Sequence, residues 1–100
     1  AYLEGSVDEQ DREEFDRRVR ETIMPAIRTY PGIEDVRLRR LAVADGDAPP
    51  VYMIFDLYFA SLQAMDDALA SATRATVRAG IASAMPLFKG RVYHLVFEES

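Results

Sequence analysis

The sequence contains no cysteine and no tryptophan, and its single histidine is His94. Without cysteine there is neither a disulfide framework nor a thiolate metal site, which fits a reducing, cytoplasmic compartment. One imidazole leaves no paired spacing such as H-x-H or H-x-x-x-H. A metal site would need His94, Asp56 and Glu4 to converge, and none is expected. No apolar run approaches the roughly 18 residues of a bilayer-spanning helix, and no secretory leader pattern opens the chain, so a membrane is not an expected partner. Basic charge is also short. Twelve Lys and Arg against seventeen Asp and Glu give a formal charge of −5, which argues against nucleic acid, whose phosphates are held by clustered cations. G-x-G-x-x-G, P-loop and G-x-S-x-G patterns are absent, removing nucleotide-binding and serine-hydrolase readings.

What is present is the composition of an ordinary globular chain, 49% apolar and 29% charged over 100 residues, read as one domain over 1–100. A chain this short hides only about 60–70% of its unfolded surface when it folds alone, so extra burial against a partner chain is expected. Residue 1 is Ala rather than Met and leads straight into AYLEG, so the first strand is expected to begin earlier.

Alternation over Ala1 to Gly5 predicts a short strand. Ser6-Val7-Asp8-Glu9 then matches the S-x-x-E capping box that opens a helix. Phe15, Val19, Ile23, Ala26 and Ile27 recur at three- and four-residue steps with charges between them, which makes one apolar helix stripe. Arg17, Arg18 and Arg20 interleave with Asp11, Glu13, Glu14, Asp16 and Glu21, as on a solvated face carrying i,i+4 pairs. Pro25 removes a helix hydrogen bond and predicts a kink or an early end, and Tyr30-Pro31-Gly32 is a stop signal.

Ile33 to Val43 reads as a second strand, Ala44 to Pro50 as a turn-rich connection, and Val51 to Phe59 as a third strand. Ser61 is a good N-cap for a helix carrying Leu62, Met65 and Leu69. A second helical piece with Val77, Ile81 and Met85 follows a break near Ser71 to Thr73. Gly80 weakens that helix by about 1 kcal/mol relative to alanine. Met85-Pro86 ends it, Lys89-Gly90 is read as a turn, and Arg91 to Phe97 as the last strand. The order βαββαβ predicts an α+β, ferredoxin-like domain with a four-stranded antiparallel sheet covered by helices on one face.

The third strand poses the functional question, because Asp56 sits in the middle of VYMIFDLYF and an unpaired buried carboxylate costs several kcal/mol. Parity places Val51, Met53, Phe55, Leu57 and Phe59 on the helix-covered face with Leu3, Val36, Leu38, Tyr93, Leu95 and Phe97. The opposite face is expected to collect Tyr2, Glu4, Arg37, Arg39, Leu41, Tyr52, Ile54, Asp56, Tyr58, Val92, His94 and Val96. That face is too apolar to stand open to water, and a second copy packed on it would form a two-fold homodimer. Asp56 is expected either beside a lined space between two sheets or paired with Arg37 or Arg39.

The segments FDRRVRETIMPAIRTYPGIEDVRLRR and VYMIFDLYFASLQAMDDALAS resemble the ethyl tert-butyl ether degradation (EthD) family of the dimeric α/β barrel superfamily. The resemblance runs from Phe15 to Phe97 by order of elements. Its sharpest parts are the Pro-Gly after the first helix and the strand followed by F-x-S. It implies a barrel formed across a homodimer by two sheets, and an activity among monooxygenases, isomerases, cyclases and haem-using enzymes, with the cofactor unknown. The chain departs from the family at Ile23, where many EthD-like sequences carry the His of H-x-P. Chemistry or haem ligation resting on that His is not implied here.

Candidate chemistry therefore gathers on the sheet. His94 is a base, acid or ligand with an ordinary pKa of about 6.5, and Asp56 on the same face would orient its ring; a hydrogen-bonded strand histidine is the plain alternative. Tyr52, Tyr58 and Tyr2 would clamp an aromatic ligand or pack in the dimer. Arg37 and Arg39 would fork a carboxylate, or pair with Asp56, Asp35 or Glu4. The expectation is a small organic ligand bound or converted in oxidative or degradative metabolism, against a non-catalytic binding module or a structural homodimer.

Overall fold

The computed structural model describes residues 1–99. Strand β1 is Tyr2–Val7, followed by a 3-10 turn at Glu9–Asp11 and helix α1 at Arg12–Arg18. A π-helical segment, Val19–Ile23, joins α1 to α2 at Met24–Ile27; β2 is Ile33–Arg40 and β3 is Val51–Phe59. Helices α3 (Leu62–Leu69) and α4 (Thr73–Ala84), a 3-10 turn at Met85–Leu87 and β4 (Phe88–Tyr93) complete the domain. The sheet is antiparallel with strand order β2-β3-β1-β4, and no helix among the described residues is long and apolar enough to cross a membrane. The architecture is the expected ferredoxin-like α+β fold.

The first helix shows how the sequence writes its own geometry. Phe15, Val19, Ile23 and Ile27 are four apart and all buried, so one stripe meets the sheet. The opposite face carries ion pairs from Glu14 to both Arg17 and Arg18, the latter at 2.7 Å, and from Arg17 to Glu21 at 3.1 Å. The helical backbone continues through Pro25 to Ile27. The proline's missing N–H and bulky ring are absorbed upstream by a wider turn, in which the Met24 N–H reaches back five residues to the Val19 carbonyl.

Helix α4 packs on that widened turn through buried Gly80, where an added Cβ would meet Thr22 Cγ2 at 3.5 Å, an ordinary contact. Gly80→Ala is therefore expected to stabilise the domain by roughly 0.5–1 kcal/mol, through helix propensity alone. A urea titration with a higher midpoint and unchanged slope would check it. The break between α3 and α4 falls where expected, and Ser61 caps α3 by accepting the Ala64 N–H at 3.0 Å.

Four local readings are corrected. Ser6 is no cap: β1 runs through it, paired with Lys89, and the following turn begins at Asp8 with no side-chain cap. Asp8 is instead held by Lys89 Nζ at 2.8 Å. Lys89-Gly90 is no turn but lies inside β4, where Gly90 pairs with Gly5. The second strand stops at Arg40 rather than Val43, and the last at Tyr93 rather than Phe97.

Two irregularities set the faces of the sheet. Leu3 pairs with Met53 but Glu4 with Val51, so Tyr52 is an unpaired extra residue, a β-bulge. The register between β2 and β3 also shifts between Ile33 and Asp35.

Candidate functional site

The face away from the helices is built from β1, β2, β3 and β4 by register. Arg37 lies opposite Asp56, Arg39 opposite Ile54, and Tyr2 between Ile54 and Tyr93. Glu4 lies opposite Arg91 and is bound by it, Nε to Oε2 at 2.6 Å. Tyr2 and Tyr93 stack with ring centroids 5.3 Å apart and planes 4° from parallel. The Arg91 guanidinium sits 5.0 Å from the Tyr93 ring centre, and that of Arg37 sits 5.1 Å from the Tyr58 ring centre. These Arg–Tyr contacts hold planar cations on ring faces, which anchors the arginines without consuming all of their donors.

Asp56 lies at the centre of this face with its side chain 22% exposed. Arg39 Nε approaches its Oδ2 at 2.5 Å, so the expected pairing forms with Arg39. Arg37 is held instead by Asp35 at 2.9 Å. The Asp56 carboxylate at this contact raises the Arg39 guanidinium above its ordinary value, and the Oδ2 that Arg39 holds is shut off from solvent.

Two expected members of the site stand elsewhere. The bulge turns Tyr52 through the sheet to the helix side, where its ring meets Phe15 edge-on at 5.7 Å and Phe88 at 6.1 Å. Its hydroxyl donates to Asp16 Oδ1 at 3.3 Å, and Asp16 also binds Arg40. Burial first, then the Asp16 charge, raises that phenol above its usual range.

His94 is likewise on the wrong side to meet Asp56. Val92 pairs with Leu3, a core residue, and lines with His94 a groove against α4. Tyr93 takes the outer face instead. Burial in that groove, and after it nearby positive charge, lowers the His94 imidazole below its ordinary value. The expected orientation of His94 by Asp56 is therefore corrected: the sheet separates them. No group of three His, Asp or Glu side chains among the described residues is placed to hold a metal ion.

The outer face thus unites Glu4, Arg37, Arg39, Asp56 and Tyr58 from the expected set and adds Tyr93 and Arg91, which parity on the last strand had missed. One signal was available for them. Leu3-x-Gly5-x-Val7 and Phe88-x-Gly90-x-Val92 share a large-small-large rhythm, which fixes their register.

No protein-family model matches the sequence, and no curated protein matches it. Among solved structures, the 1.40 Å crystal structure of an EthD family protein from Bacillus halodurans C-125 matches with a TM-score of 0.64 at 20% identity. The match covers 87% of this chain and 81% of that one. The fold is EthD-like. At that identity the likeness concerns the fold alone. Within this EthD-like fold, Ile23 is a fully buried core residue on the π-helical segment, so its position supplies packing and no ligand.

Proposed function

We propose that this EthD-like protein is a homodimer whose outer sheet faces pack on each other, and that the space between them binds or converts a small organic molecule in oxidative or degradative metabolism. The observation that carries the reading is the half-buried Asp56 carboxylate, paired with Arg39 at the centre of a face that also carries apolar and aromatic side chains. A hydroxyl or amine of a bound molecule would donate to the solvent-facing side of that carboxylate. In this reading Tyr58, Tyr2 and Tyr93, which share its face, would flank the bound molecule, with Arg37 and Arg39 supplying positive charge. Asp56, the carboxylate at the centre of the face, is the residue assigned to proton transfer in a catalytic version of this reading.

A structural dimer is the second reading, and a specific observation favours it. Glu4, Asp35 and Asp56 each already have an arginine, so the charges of the face are matched without a ligand. Thermal shift with a panel of phenols and aromatic alcohols separates the two. The proposal expects at least one compound to raise the melting temperature of the wild type and not that of Asp56→Asn. A panel that shifts neither protein, with dimer intact, would establish the structural reading.

A further inference from the structure

Beside the edge strand β4 lies an apolar groove of about 670 Å³, floored by Ile81, Met85 and Val92 and rimmed by Arg78 and His94. β4 is the last strand on its side of the sheet, so the N–H and C=O groups of its far edge have no strand beside them, an arrangement that proteins normally cover. Directly after it come Leu95, Val96 and Phe97, which are 52%, 59% and 75% exposed. Glu98 and Glu99 follow. The molecule therefore carries three consecutive uncovered apolar side chains followed by an acidic pair, and an uncovered apolar groove with a basic rim.

We propose that residues 95–99 of one protomer lie along the β4 edge of a second copy, with apolar side chains in that groove and the acidic pair against Arg78. The two features are self-complementary, as a two-fold exchange requires: each copy offers one segment and one groove. An extended backbone beside β4 would pair the open edge, and alternation would send Leu95 and Phe97 to one side, into the groove. Arg74, close enough to His94 to act on its charge, adds a second cation for Glu98 or Glu99. The exchange needs no ligand.

The absence of native cysteine makes the test direct. Chains carrying Phe97→Cys and chains carrying Ala82→Cys, Ala82 being an exposed lining residue of the groove, are mixed and mildly oxidised. The proposal expects a disulfide-linked heterodimer between the two chain types, and at least tenfold less product when Ala82→Cys is replaced by Glu13→Cys on exposed α1. Leu95→Ser with Phe97→Ser is expected to weaken self-association at least tenfold while leaving the circular dichroism of the fold unchanged. Equal cross-linking to both positions would overturn the proposal. So would a bond that forms only within a chain carrying both cysteines, or self-association untouched by the double serine variant.

Discussion

Gly90→Ala is expected to destabilise the domain by about 3 kcal/mol or more, a large part of the stability of a chain this size. Gly90 and Gly5 face each other across β4 and β1 with φ of +151° and +147°. A Cβ on Gly90 would fall 2.1 Å from the Glu4 carbonyl oxygen, and one on Gly5 would fall 2.1 Å from that of Lys89. Both obstacles are backbone, so neither can swing aside as a flexible side chain would. The closeness has a purpose in the fold. Gly5 donates its N–H to the Pro50 carbonyl at 2.7 Å, so β1 is drawn toward the start of β3 while β4 closes on it from the other side. Urea denaturation should show a much lower midpoint for Gly90→Ala, and the double variant with Gly5→Ala should cost less than the sum, because both methyls open one gap. The same substitution at Gly80 raises the midpoint. Opposite signs for one chemical change would separate backbone approach from helix propensity.

Ile54→Lys is expected to convert the protein from dimer to monomer with little loss of fold. Ile54 is the half-buried apolar residue at the middle of the outer face, paired with Tyr2 on one side and Arg39 on the other. In the monomer a lysine there would lift its charge into water along a flexible stem. At a two-fold interface the same ammonium would be buried twice, each time beside Arg39 and without a free carboxylate. Burying an unpaired charge costs several kcal/mol, so the dissociation constant should rise on the order of a thousandfold or more. Circular dichroism should be unchanged and light scattering halved.

Much of the fold was legible because its helices obey one period and its central strands another. The stripe from Phe15 to Ile27, the cap at Ser61 and the alternation around Arg37 and Asp56 each had a single reading, and that alternation also brought Asp56 to Arg39. The failures share a physical cause. Over the stretch read as the last strand both parities are apolar, Val92 and Val96 against Tyr93 and Leu95, so alternation alone cannot choose a face. The choice is made by pairing with β1, where Val92 meets Leu3. At Tyr52 the pattern is sound on either side, but a bulge adds one residue and reverses parity beyond it. Ser6 carries a good capping pattern, which β1 overrides because continuing the strand pairs it with Lys89. His94 and Tyr52 thus left the candidate site for reasons of register, which are non-local, while Asp56, Arg37, Arg39, Tyr58 and Glu4 kept their places by local rules.

The central claim is that the outer sheet face is closed by another copy of itself. Light scattering on the eluting wild-type peak at micromolar concentration, with Ile54→Lys run beside it, tests this most directly. The account predicts twice the 11.3 kDa chain mass for the wild type and the single mass for the variant. A wild type that scatters as one chain, or a variant that remains paired, would contradict it.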